Sequence, residues 1–244
     1  MRCGGWTLGG CAFSRINIMS DGDHVVVHSV RTDSVPTSEQ VERGLRDHDP
    51  GVRLKCAQRM DWTPTHEQVE IGLDDLWYIR KAWVERMDWT PTPEQVKRGL
   101  DDTWTVRVAW VKRMDWTPTR EQVEKGLGDV IGDVRQGWVR RMDWTPTQDQ
   151  VESGLTDDRW SMRQSWAERM DWTPTPMQAE RGLNDYDSDV RITWVRRMDF
   201  TPTQEQIERG LNDQLRSVRV AWMERLTMDQ DALMEDPQYL EMTL

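Results

Sequence analysis

The chain has 244 residues, with 43 Asp and Glu against 32 Lys and Arg and a net charge of −11. That balance excludes the overall basic surface on which nucleic-acid binders track a phosphate backbone. It also contains no apolar run near the roughly 20 residues that a membrane-spanning helix requires.

Residues 1–30 stand apart from the rest of the chain. Residues 1–20 are Gly-rich and lack a continuous apolar run before a cleavage site, so no secretory signal is expected. Met19 offers an alternative start. Residues 24–30 read as a degenerate half-repeat that covers the first interface, as terminal units often do.

Seven copies of one sequence unit then occupy 31–224 without a break. The marker Asp-Trp-Thr-Pro-Thr starts at Asp61, Asp88, Asp115, Asp143 and Asp171; it returns with Phe at Asp199 and degraded at Asp33. The spacing is 27 or 28 residues, a period diagnostic of stacked repeats. Eleven of the 15 Trp fall at two recurring positions, so the Trp excess is one packing solution used many times.

Each copy reads as two short helices. The first opens at Thr-x-x-Gln, as in Thr92 and Gln95, a spacing that lets the two side chains cap reciprocally. Pro93 and Pro176 suit the first helical position, where the missing N–H costs nothing. The buried face is narrow: Val96 and Leu100, with Gly99 beside them. The recurring Gly predicts either a neighbour too close for a Cβ or a helix ending in the left-handed region. The second helix is expected to open near a capping residue such as Thr105, Asp133, Ser161, Asp189 or Ser217. Its apolar arc comprises Val106, Ala109, Trp110, Val111 and Met114, a helical rather than a strand period. Such a unit cannot bury its arc alone, and stacking makes one continuous core.

Residues 225–244 begin like an eighth copy and then lose the marker. They hold one Arg and five acids, and read as a degenerate half-repeat forming an acidic C-terminal cap. The expected fold is all-α: a right-handed α-solenoid of seven 27–28-residue two-helix repeats.

The second half of each repeat, Asp-x₃₋₄-Val-Arg-x-x-Trp, resembles the second-helix motif of HEAT repeats and of the leucine-rich repeat variant. The resemblance covers about 31–224 and implies a ladder of Asp and Arg between neighbouring units. The matching residues are Asp47, Asp75, Asp102, Asp129, Asp157, Asp185 and Asp213, with Arg53, Arg80, Arg107, Arg135, Arg163, Arg191 and Arg219. The period is shorter than a typical HEAT unit, and the cysteine cluster that holds an iron–sulfur centre in some leucine-rich repeat variant proteins is missing. The resemblance therefore implies a solenoid and a ladder, and no cofactor.

Polar residues separate into series. The seven Arg of the motif fall within the apolar arc and must be paired, because an isolated buried charge is very costly. A second series (Arg59, Arg86, Arg113, Arg141, Arg169, Arg197 and Arg225) precedes the Met and reads as accessible. Some DNA glycosylases built from HEAT-like repeats lay such rows along a phosphate backbone. Here 31–224 holds 29 basic against 36 acidic residues, which argues against direct nucleic-acid binding.

The nonrepeating positions point to a partner. Trp77, Trp104 and Trp160 precede the second-helix Val by two residues, where other copies carry Pro50, Gly132, Ser188 and Arg216; Tyr186 lies in a nearby turn. They read either as staples onto the following helix or as anchors of an interface. Catalytic and metal constellations are not evident. His24 and His28 lack a third ligand, and no Gly-rich phosphate loop occurs. Three cysteines, at 3, 11 and 56, predict free thiols in a reducing cytoplasm. The expectation is a non-catalytic, cytoplasmic scaffold that binds a protein along one face. The alternative is an acidic nucleic-acid mimic that inhibits a DNA- or RNA-binding protein.

Overall fold

A computed structural model describes residues 35–234, with helices and no strands among them. The terminal cap at 1–30, His24, His28, Cys3, Cys11 and the tail from 235 lie outside the described residues.

The helices come in seven pairs: α1 (Ser38–Leu45) and α2 (Pro50–Gln58); α3 (His66–Leu73) and α4 (Trp77–Glu85); α5 (Pro93–Gly99) and α6 (Trp104–Lys112); α7 (Arg120–Leu127) and α8 (Gly132–Arg140). They continue with α9 (Gln148–Leu155) and α10 (Trp160–Glu168), α11 (Pro176–Leu183) and α12 (Ser188–Arg196), and α13 (Gln204–Leu211) and α14 (Arg216–Met234). The chain divides into two compact units between Trp89 and Thr90. In the first, α2 packs on α4 and α1 on α3. In the second, the even-numbered helices α6, α8, α10, α12 and α14 pack in sequence, and α9, α11 and α13 form the other layer. Each unit is thus a stack of helix pairs.

All seven first helices open with the capping box, from Thr37 with Gln40 to Thr203 with Gln206. Two of the orphan amides of each helix start are satisfied this way. The recurring Gly is explained by close approach. A Cβ on Gly154 would lie 1.9 Å from Trp166 Nε1, and Gly99, Gly126, Gly182 and Gly210 are covered by Trp in the same way. The helix ends there with negative φ, as at Thr156 (φ −113°), so no left-handed residue is involved. In the first copy Cys56 replaces the Trp and its Sγ covers Gly44. Burial pushes the Cys56 thiol up.

The marker Trp acts as a helix terminator. Trp144 Nε1 donates to Trp138 O at 3.1 Å, the same carbonyl that receives Arg141 N at 3.2 Å. Trp89, Trp116 and Trp172 do the same for Trp83, Trp110 and Trp166. The following Thr-Pro holds the chain extended. In the last copy Leu226 and Thr227 replace Met and Asp and the Pro is missing, so α14 runs on to Met234. The second helix of that copy therefore crosses the boundary expected at 224.

Two sequence expectations are corrected. The second helices start two residues earlier than expected, at Trp104, Gly132, Trp160, Ser188 and Arg216, rather than near Thr105 or its equivalents. The repeated Asp shapes these starts from outside: Asp129 Oδ1 accepts from Ile131 N, and Asp213 Oδ1 from Leu215 N. In the two 27-residue copies, Asp75 and Asp102 accept from the very next amide instead. One residue fewer before the helix is what shortens the period. Finally, the Met of the expected arc is outside it. Val106, Ala109, Trp110 and Val111 are buried, but Met114 is 56% exposed.

Candidate interaction surface

The Arg of the second-helix motif reaches forward one repeat. In the first unit Arg53 grips Asp75 with two parallel bonds of 2.6 and 2.8 Å. In the second unit Arg107 holds Asp129, Arg163 holds Asp185 and Arg191 holds Asp213 in the same bidentate way. Arg135 approaches Asp157 through Nη2 alone, at 3.1 and 3.3 Å. Each Arg also donates Nη1 to the carbonyl of its own repeat's Asp: Asp47 for Arg53, Asp75 for Arg80, and Asp213 for Arg219. One Asp therefore ties a turn, the start of a helix and a neighbouring repeat.

The electrostatics follow from these contacts. Burial alone would raise the Asp75 carboxyl. The Arg53 bond, the Leu76 amide and the Arg80 charge together hold it below its ordinary value. The Arg163 guanidinium is pushed well up by Asp185, with Tyr186 adding to the effect.

Apart from the partly exposed Arg59, the second Arg series is not accessible, contrary to the expectation from sequence. Arg86, Arg113, Arg141, Arg169 and Arg197 are each 2% exposed. Arg141 shows why. Its Nη1 donates to Val111 O (3.0 Å) and Arg113 O (2.6 Å), its Nη2 to Trp116 O (2.8 Å). Nε and the second Nη2 proton go to Asp143 of the marker. All five donors of the guanidinium are used. The same group lies 4.1 Å from the Trp116 ring centroid. Arg169 and Arg197 repeat the arrangement on Trp144 and Trp172, and Arg225 stacks on Phe200. The marker Trp is therefore also the platform for the next repeat's Arg, edge-on to that repeat's buried Trp, as with Trp116 and Trp138 at 6.0 Å. Sequence reasoning missed this because a charge at the end of a helix reads as surface. The recurring Asp two residues later was the available signal.

The first-helix layer carries a third set of links. Glu152 accepts from Gln178 and Arg181, and Glu180 from Gln206 and Arg209, which hold both carboxyls below the usual range.

The residues singled out as anchors are exposed. Trp77 is 48%, Trp104 47%, Trp160 43% and Tyr186 76% exposed. The three Trp are the first residues of α4, α6 and α10, so they are not residues before a cap. Trp77 belongs to the first unit, stacked edge-on against Tyr78 at 5.5 Å. Trp104 and Trp160 belong to the second, at the same end of α6 and α10, and Gly132 takes this place on the intervening α8. Tyr186 is tied down, with its hydroxyl on Asp158 O at 3.2 Å and the Arg163 guanidinium 4.4 Å from its ring centroid. At the opposite ends of these helices, Met114, Met142, Met170 and Met198 are each more than half exposed. This row was overlooked because a periodic Met reads as core. Among the described residues, no group of three His, Cys, Asp or Glu is placed to hold a metal ion.

No protein-family model and no curated protein matches the chain. A solved structure described as "a leucine-rich repeat variant with a novel repetitive protein structural motif" is similar to it, with a TM-score of 0.55 at 21% identity. The match covers 78% of this chain and 72% of that one. The chain is an α-solenoid repeat protein. Both chains share a fold in which helical repeats stack. No helix among the described residues of the solenoid is long and apolar enough to cross a membrane.

Proposed function

We propose that the solenoid is a non-catalytic scaffold that binds another protein along the face made by its second helices. The observation that carries this reading is the pairing of exposed Trp104 and Trp160 at one end of that layer with an exposed Met row at the other. Exposed aromatics supply contact area at low entropic cost, and Met adapts to irregular partners. The recurring polar residues that might otherwise form a chemical site are engaged with each other. A reducing cytoplasm remains the proposed compartment, with Cys56 as a free thiol.

The mimic reading draws on the carboxylates of the first helices. Pairing of three of them weighs against it: Glu124 lies on Arg120, Glu152 on Arg181 and Glu180 on Arg209. A mimic requires unneutralised rows. The buried Arg series likewise weighs against direct binding to a nucleic-acid backbone, since its donors are already used.

Affinity capture from native cytoplasm at low and high salt tests the scaffold. A protein partner kept at high salt by the wild-type chain, and lost by the Trp104→Ala/Trp160→Ala variant, is expected. A basic partner released at moderate salt and indifferent to both Trp changes refutes the proposal in favour of the mimic.

A further inference from the structure

Between α6 and α8 the second-helix face opens into a notch of about 450 Å³. The residue before each buried Trp is Ala109 in α6, Ser165 in α10, Thr193 in α12 and Ala221 in α14. In α8 it is Gly137. A Cβ there would lie 3.0 Å from Val111 Cγ1. Val108 and Met114 give the notch an apolar wall beside the polar Asp133, Gln136 and Arg140.

Two cations flank it. Lys112 and Arg140 end α6 and α8, are exposed, and make no ion pair with any described residue. Elsewhere along this layer the equivalent positions alternate in sign, with Glu168, Arg196 and Glu224, and Arg196 lies 3.6 Å from Glu224. A cation is favoured at a helix C-terminus. The two Glu at the same place show that the helix ends do not demand one. Packed helices lie about 8–10 Å apart, so an anion between the two helix ends is within reach of both cations. The acid on the rim, Asp133, is 3.7 Å from Arg159, and the buried Arg141 is taken up by Asp143.

We infer that the notch at Gly137 seats an apolar side chain of an extended acidic peptide, whose flanking carboxylates sit on Lys112 and Arg140. This rests on the reading of the second-helix layer as a protein-binding face. An extended chain advances about 3.3 Å per residue and turns alternate side chains to one face, so the residues two before and two after the seated one present their carboxylates towards the helix ends. The solenoid's net negative charge does not prevent this. At physiological salt, charges more than about 8 Å away are largely screened.

The test is fluorescence anisotropy of the full chain at physiological salt. The probe is a labelled 11-residue peptide with one central Leu among Asp and Glu. Two controls replace the acids by Lys or the Leu by Gly. The acidic Leu probe is expected to bind at least tenfold more tightly than either control. Lys112→Glu/Arg140→Glu and Gly137→Thr should each weaken it at least tenfold. Thr193 occupies the Gly137 position in α12, and a matching melting temperature confirms folding of the variant. Equal binding of the three probes, or unchanged binding by both variants, overturns the inference. Probe binding abolished only by Trp104→Ala/Trp160→Ala also overturns it but leaves the scaffold reading intact. Failure of the affinity captures removes that reading independently.

Discussion

Arg141→Met is the perturbation that best probes what joins one repeat to the next. The side chain is 1% exposed and spends five donors on three carbonyls of the preceding repeat and on Asp143. Met restores much of the apolar stem and none of the donors. Truncating one side of a buried charge pair costs about 3–5 kcal/mol, mostly as the penalty on the partners left behind. Those partners are the Val111, Arg113 and Trp116 carbonyls and a carboxylate that is 23% exposed. Loss of the stacking on Trp116 adds about 0.5–2 kcal/mol. These contributions are not additive, and we expect about 4 kcal/mol, or roughly 10 °C in melting temperature. Asp143→Asn should cost about 1–2 kcal/mol, because the Arg keeps its three carbonyls. The assay is urea unfolding followed by Trp fluorescence, with amide exchange in α6 and α8 to localise the effect. The exposed Arg120→Met serves as a control and should change stability by less than about 0.5 kcal/mol. An Arg141→Met loss within about 1 kcal/mol of wild type, or equal to that of Asp143→Asn, would refute the carbonyl clamp.

Gly154→Ala should destabilise by about 1–3 kcal/mol, because its Cβ lands 1.9 Å from the buried Trp166 indole. A melting curve that overlays wild type would mean the Trp can move aside. Leu127→Ala should cost about 2–3 kcal/mol, since Leu127 packs against both apolar clusters of the second unit; urea midpoints decide this. Asp75 governs an acid-sensitive increment in the first unit. Its folded-state pKa lies below the ordinary 3.8, so its contribution is complete above that value and is lost as pH falls through the lower one. The stability gap between wild type and Asp75→Asn should therefore be constant near neutrality and shrink below about pH 4. A gap that stays constant down to pH 2 would mean the Arg53 pairing does not depend on the charge of Asp75.

Periodicity carried most of the fold. Thr and Gln three residues apart, Val and Leu four apart and the Val-x-x-Ala-Trp arc are local patterns, and backbone geometry converts them directly into capped, one-sided helices. The forward Arg–Asp pairs were also legible from a buried charge that demands a partner. What a single repeat cannot encode is which surface the neighbour covers. Arg141 is buried because the preceding repeat supplies three carbonyls and an indole around it, while Met142, next in sequence, points to solvent. Even within one repeat, Gly126 and Trp138 are twelve residues apart, and only the packing of α7 on α8 shows that one exists for the other. The notch at Gly137 likewise exists only where α8 meets walls supplied by α6. Local sequence determined the helices and their caps. The packing of each repeat against the next decided which charges are buried and which apolar groups remain for a partner, because burial is a property of both surfaces at once.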